Sequence, residues 1–158
     1  DFQWTSNTEE RNKMWRARHD AAWACKLLHP KGEIWATDVC VPISRLADCL
    51  NQTRVDIDES KLLAPIVGHV GDGNFHLCIL VDHSDPEEVA RAEALNRRMI
   101  DRALAMDGTC TGEHGIGYGK IDFLKKEHGE AVDVMQTIKQ ALDPKNILNP
   151  GKIFEWRN

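Results

Sequence analysis

Long apolar runs are missing from this chain. No stretch reaches the roughly 20 residues that a helix needs to cross a bilayer. A basic run is missing too, and with a formal net charge of -5 the chain has no electrostatic footprint for nucleic acid. Closely spaced cysteines are absent. The five, Cys25, Cys40, Cys49, Cys78 and Cys110, are odd in number and scattered. That suits buried thiols in a reducing compartment better than a disulfide framework or a zinc finger. There is no secretory or transit segment, no internal repeat and no low-complexity tract. The opening Asp1-Phe2-Gln3-Trp4 lacks a Met, so the chain is expected to be a fragment or processed product, with any targeting segment missing from it. What remains is ordinary for a globular protein: 158 residues, 42% hydrophobic and 28% charged, enough to bury a core.

The richest stretch is Gly68 to His76, Gly-His-Val-Gly-Asp-Gly-Asn-Phe-His. Apolar runs lead in (Leu62–Val67) and out (Phe75–Val81). Asp72-Gly73 is a two-residue hairpin signal. With those two residues as the loop, Val70 faces Phe75 and His69 faces His76. Opposed residues share a sheet face, with Cβ atoms roughly 4.5–5.5 Å apart. Two imidazoles side by side begin a divalent-metal site. The bland alternative is that both His cap strand ends beside a Gly-rich turn.

A second Gly-rich stretch, residues 108–119, reads GTCTGEHGIGYG and holds Glu113 next to His114. Its glycines let the backbone approach a ligand closely. Adjacent side chains on an extended loop diverge, so Glu113 and His114 are expected to play different roles. Two His and one carboxylate make a three-ligand site with open positions, the catalytic pattern. His114 would then be a base beside the metal. The alternative is a flexible loop carrying two solvated side chains.

The chain in order reads as follows. Residues 8–28 predict a helix capped by Asn7, with Glu10 three residues on. Trp15, Ala22 and Cys25 mark its apolar face, with Met14 and Ala21 alongside. Arg18 falls on the same stripe. It either snorkels or pairs with an internal acid, or it is a fork for a substrate carboxylate. Glu33–Val41 reads as a strand. Pro42 opens a short helix carrying Leu46, Cys49 and Leu50, and residues 51–61 read as a polar linker. After the hairpin, Ser84 with Glu87 predicts the capping box of a helix running to about Met106, with Val89, Ala92, Leu95, Met99 and Ala103 inward. His83 reads as an exposed turn residue. Lys120–Glu127 is a short helix broken at Gly129. Ala131–Leu142 is a helix with Val134, Met135, Ile138 and Leu142 inward, stopped by Asp143-Pro144. Asn149-Pro-Gly-Lys152 is a tight turn. This order predicts an α+β fold: an antiparallel sheet with helices on one face, of ferredoxin-like character, plus a C-terminal helical segment. The expected division is 1–107, the α+β portion, and 108–158, the Gly-rich loop and helical segment.

Five pieces in order resemble the C-terminal part of the FAD-dependent 2-hydroxy acid dehydrogenases, within the vanillyl-alcohol oxidase superfamily. They are Trp15 with Arg18, Asp38-Val-Cys-Val-Pro42, Gly68–His76, Gly112-Glu-His-Gly-Ile-Gly117, and Asp143-Pro144 with Asn149-Pro-Gly-Lys152. Their texture resembles the mitochondrial D-lactate branch of that family most. The resemblance implies His69, His76 and Glu113 as ligands of a divalent metal, Zn or Mn, and His114 as general base. It implies Arg18 and Asn74 at the substrate and Asn149 near the flavin. It implies FAD held mainly by an N-terminal domain that this chain lacks, so the chain alone is expected to be inactive. Residues 1–107 would be a substrate cap, with 108–158 packing toward the flavin. It further implies a small 2-hydroxy acid substrate, cytochrome c or another electron acceptor, and a mitochondrial setting. Members acting on D-2-hydroxyglutarate carry a Lys where this chain has Ala36, and an Asn where it has Cys78. Those departures favour D-lactate over D-2-hydroxyglutarate; a glycolate oxidase subunit is the other alternative within the family. From another class, the same ligands would serve a metal-dependent hydrolase or a non-catalytic metal-binding module. Bound yellow chromophore in the full-length protein separates these.

Overall fold

The structure is a computed structural model that describes residues 4–155. The fold is α+β, built on an antiparallel sheet. Helix α1 spans Thr8–Lys26, and the Asn7 side chain accepts the Glu9 and Glu10 N–H groups as its cap. Strands β1 (Glu33–Ala36) and β2 (Val39–Cys40) precede helix α2 (Ile43–Ser60). Strands β3 (Ile66–His69) and β4 (Asn74–Val81) follow, then helices α3 (Pro86–Ala105), α4 (Ile121–His128) and α5 (Ala131–Leu142). Every other strand pairs with β4, which is buried along its whole length.

β1 and β2 run along one edge of β4 in a single register, from Glu33 opposite Val81 to Cys40 opposite Asn74. Between them Thr37 keeps the ladder going: its N–H donates to Leu77 O at 3.0 Å, and its hydroxyl accepts from Leu77 N at 2.8 Å. The predicted strand 33–41 is therefore one edge interrupted at Thr37-Asp38. β4 alternates sides. Phe75, Leu77, Ile79 and Val81 join Leu95, Met99 and Ile100 of α3 and Cys49 and Ile57 of α2 in the main core. His76 and Cys78 point the other way, where Cys78 meets Cys25 of α1. All five cysteines are free thiols. Among the described residues no helix is long and apolar enough to cross a membrane.

Four expectations need correction. The hairpin loop has four residues, not two: a 3-10 turn, Val70–Asp72, closed by Gly73 in the left-handed region at φ 76. His69 consequently opposes Asn74, and Val67 opposes His76. Tertiary docking overrides the local turn preference. Val41 N donates to Gly73 O at 3.0 Å, and a Cβ on Gly73 would sit 2.0 Å from Val41 O. The register moves by two, an even number, so His69 and His76 stay on one face.

Residues 51–61 are not a linker; all but Lys61 continue α2. Thr53, Asp56 and Ser60 are buried along with Ile57. Polar residues occupy the inward stripe because α3 faces them with cations: Arg98 Nε donates to Asp56 Oδ1 at 3.0 Å, and Arg102 donates to Asp56 and Thr53. The cap of α3 is Asp85, not Ser84. Asp85 accepts the Glu87 and Glu88 N–H groups, and Pro86 fits the first helical turn. Ser84 instead bonds to Asp82. Finally, α5 buries Val132 against Leu124 and Phe154, with Met135 partly covered, and buries Gln136, which donates to Glu155 O, while Val134, Ile138 and Leu142 are exposed. Periodicity defined a stripe but not which neighbour would cover it.

The apolar stripe of α1 is likewise little covered among the described residues. Cys25 is buried, Ala21 is half-buried, and Met14 and Trp15 are exposed. The side chain of Ala22 lies outside what is described.

Candidate active site

His76 sits mid-sheet on β4 and is 5% exposed. Its Nδ1 lies 2.9 Å from Thr37 O. A carbonyl only accepts, so Nδ1 is the donor in that contact and Nε2 faces the opposite way. Nε2 is 2.8 Å from Glu113 Oε1. The same oxygen lies 3.8 Å from His114 Nε2 and 4.0 Å from His69 Nε2. The His76 and His114 rings stack with centroids 4.9 Å apart, and the His69 ring stands edge-on to His76 at 6.5 Å. The four side chains singled out in the sequence thus meet around one carboxylate oxygen. The tightest group is His76, Glu113 and His114, whose ligand atoms lie within 4.8 Å of one another; His69 stands slightly further out.

Glu113 and His114 converge instead of diverging, because their loop is not extended. It winds around Asp38, a residue to which the sequence reading gave no role. Asp38 is completely buried. Its Oδ2 accepts the backbone N–H groups of Gly112, Glu113 and His114 at 2.8, 3.0 and 2.9 Å, and the Thr111 hydroxyl at 2.8 Å. Its Oδ1 accepts from Asn74 Nδ2 at 2.8 Å. Burial by itself would raise the Asp38 pKa. The N–H groups of His114 and Glu113, the Thr111 hydroxyl and the Asn74 amide outweigh it, and hold the carboxyl far below the usual range. Lys120 closes the loop from behind, its Nζ donating to Asp38 O at 2.8 Å and Cys110 O at 2.7 Å. An acid inside the strand, set beside Val39, Cys40 and Val41, was the available signal, since a buried charge must find donors.

Asn74 is buried as well. Its amide donates to Asp38 Oδ1 and to Val39 O, which leaves Oδ1 buried without a partner. A hollow of about 300 Å³ lined by Cys40, His69, Asp72, Asn74, Gly112 and Glu113 lies on this side. On the other side of His69, a cleft of about 350 Å³ is lined by Arg11, Met14, Trp15, Arg18, Gly68 and His69. Arg18 is half-buried and close enough to Cys78 to act on its thiol. Ala36 pairs directly with Cys78, which puts both on the sheet face of His76. Arg11, which the sequence reading passed over, lines the same cleft one heptad before Arg18. Asn149 is not in the cluster. It is exposed, at φ 46, in the C-terminal turn. That turn is tied to the end of the Gly-rich loop by Ile153 N donating to Gly117 O at 2.8 Å.

The sequence matches the FAD linked oxidases, C-terminal domain, over residues 1–153. The chain belongs to that family. It is 50% identical over 156 residues to the probable mitochondrial D-lactate dehydrogenase of Danio rerio, covering 98% of this chain and 31% of the relative. Against the mitochondrial D-lactate dehydrogenase [cytochrome] of Arabidopsis thaliana identity is 47%, over 98% of this chain and 27% of the relative. Against the glycolate oxidase subunit GlcD of Bacillus subtilis it is 35%, over 95% and 32%. The chain therefore spans about three-tenths of the length of these curated relatives. A 4-ethylphenol oxidase from Gulosibacter chungangensis shares the fold, with TM-score 0.68 at 20% identity, over 98% of this chain and 32% of that one.

Proposed function

We propose that this chain is the substrate-side part of a flavin-dependent dehydrogenase that oxidises D-lactate, or a similar short D-2-hydroxy acid, to the 2-oxo acid. The observation that carries the reading is the meeting of His69, His76, Glu113 and His114 around one oxygen, beside a cleft that holds Arg18. His76 Nε2 and Glu113 Oε1 lie 2.8 Å apart, with His69 Nε2 and His114 Nε2 at 4.0 and 3.8 Å from the same oxygen. The donor set suits a divalent ion, Zn or Mn. His69, His76 and Glu113 would hold it, and it would supply Lewis-acid polarisation of the substrate hydroxyl. Asn74, which lines the hollow beside the cluster and has an unpartnered Oδ1, would add a polar group on the substrate side of the site. When bound, FAD supplies the two-electron acceptor for the hydrogen leaving Cα.

The residues of this chain then divide the work. Arg18 pairs with the carboxylate in a bidentate fork. His114 takes the hydroxyl proton as general base, a role that suits an imidazole near neutral pH. Met14 and Trp15 line the same cleft and would give it an apolar wall. Ala36 and Cys78 offer no cation to a second carboxylate, which favours D-lactate over D-2-hydroxyglutarate. The names of the relatives make a cytochrome the proposed electron acceptor, cytochrome c by the resemblance noted above, and the mitochondrion the proposed setting. Membership of a flavin-linked oxidase family weighs against the hydrolytic alternative. The test is turnover of D-lactate by the full-length, flavin-loaded protein. A protein that oxidises none of D-lactate, glycolate and D-2-hydroxyglutarate would sink the proposal.

A further inference from the structure

We propose that Asp38 is a positioning residue of this site. Its single carboxylate sets Glu113, His114 and His76 relative to one another, and so governs both the affinity for a divalent ion and the rate of proton abstraction. The inference rests on the roles just proposed for those three residues.

Three observations support it. The first is the loop. Three consecutive N–H groups, from Gly112, Glu113 and His114, point at one Asp38 oxygen within 3.0 Å. Such a nest of N–H groups around an anion fixes the backbone through 112–114, and with it the directions in which the Glu113 and His114 side chains leave. Without the anion those N–H groups would repel one another and a loop this rich in glycine would open.

The second is His76. Asp38 Oδ1 lies 3.6 Å from His76 Nδ1, and the carbonyl that takes the Nδ1 proton belongs to Thr37, the preceding residue. The Thr37-Asp38 step therefore orients the imidazole and holds its Nε2 toward Glu113. A carboxylate or carbonyl behind a ligating imidazole fixes its tautomer and raises its basicity.

The third is the way Asp38 itself is held. Lys120 Nζ bonds to Asp38 O and Cys110 O and lies 3.7 Å from Asp38 Oδ2. One ammonium thus grips the sheet edge and the start of the loop together. Asn74 Nδ2 adds β4 to the same anion at 2.8 Å. Asp38 joins three segments that are far apart in sequence at the point where the site residues emerge.

The experiment compares full-length, flavin-loaded wild type with Asp38→Asn and Gly112→Ala. Asp38→Asn keeps the shape but removes the charge that gathers the N–H groups. Gly112→Ala keeps the charge and forces the loop away, because its Cβ would meet Asn74 Nδ2 at 1.9 Å and Asp38 Oδ1 at 3.0 Å. Mn²⁺ affinity is measured by chelator competition, alongside kcat, KM for D-lactate, the pH profile and the melting temperature. Both variants are expected to bind Mn²⁺ about 10- to 100-fold more weakly and to lose kcat by a similar factor, as for loss of a supporting partner behind a metal ligand. The pKa seen in the kcat profile should move, and high Mn²⁺ should restore part of the activity. A lower melting temperature with Mn²⁺ affinity, kcat and pH profile all unchanged overturns the inference and leaves Asp38 merely structural. Where Asp38→Asn does not fold, Gly112→Ala decides by the same readouts. A wild type that holds no divalent ion and does not respond to Mn²⁺ counts against the proposed metal, not against Asp38. In that case kcat and its pH profile decide: changed in the variants supports the positioning role, unchanged overturns it.

Discussion

At the residue scale, the placement of His69 and His76 on one sheet face was legible from parity alone, although the two are not directly opposed. Any even shift of the hairpin keeps both rings on one face, so a wrong loop length still gave the right side. Asp38 was not legible, because its donors come from residues 111–114 and no local period links them to it. The proposed division of labour between Glu113 and His114 turns on which nitrogen or oxygen would meet a metal. His114 Nε2 stands 3.8 Å from Glu113 Oε1 while its ring stacks on His76, so this side chain could reach either role. His76→Ala is expected to cost about 10-fold or more in metal affinity, because His76 is the buried member that fixes the group. His114→Ala is expected to lower kcat by about 100-fold or more, as for loss of a general base, with metal content near wild type. Metal analysis beside single-turnover kinetics checks both. Metal lost together with activity in His114→Ala would make His114 a ligand and require its role to be exchanged with that of another member of the cluster.

At the element scale, helix existence was readable and helix burial was not. α2 carries its inward stripe in polar letters, Thr53, Asp56 and Ser60. That pattern looks like a linker until α3 supplies Arg98 and Arg102 from some 40 residues on. Asp56→Ala leaves Arg102 half-stranded against the core. It should destabilise the fold by about 2–3 kcal/mol, below the full value for a buried pair because Arg98 still reaches water. Urea unfolding checks this; a change within error would make the pair a surface bridge in energetic terms. α4 offers a pH test through Glu127, whose Oε2 accepts from Cys110 N at 2.9 Å. Burial raises the Glu127 pKa, but the Cys110 backbone and thiol and the Thr109 hydroxyl outweigh it, so the net shift is downward. A folded pKa below the unfolded one stabilises the ionised form. The contribution is therefore present above about pH 4.3 and fades as pH falls through the folded value. Glu127→Gln should melt lower at neutral pH and lose less on acidification than wild type. Parallel melting curves at every pH would remove Glu127 from the acid sensitivity.

At the scale of the whole molecule, on the proposed function the cleft lined by α1 residues, Gly68 and His69 would decide which acid is oxidised. In the proposed role Arg18 offers one fork and so would hold one carboxylate. A substrate with a second carboxylate needs a second cation, or it desolvates a charge without a partner. On the sheet face of His76 the neighbouring pair is Ala36 and Cys78. Ala36 brings no donor and Cys78 only a weak one, in a thiol that burial pushes above its usual pKa. D-lactate should therefore be preferred over D-2-hydroxyglutarate by roughly 100-fold or more in kcat/KM. Ala36→Lys should narrow that ratio by giving the distal carboxylate its partner. Arg11 is the group that could defeat the argument, because it lines the same cleft. It is exposed at the rim, where water screens its charge and pairing contributes about 1 kcal/mol at most. Equal efficiency on the two acids in wild type would mean that Arg11 reaches inward to the second carboxylate. Arg11→Met would then restore the preference for D-lactate, whereas a preference already present in wild type should survive that change.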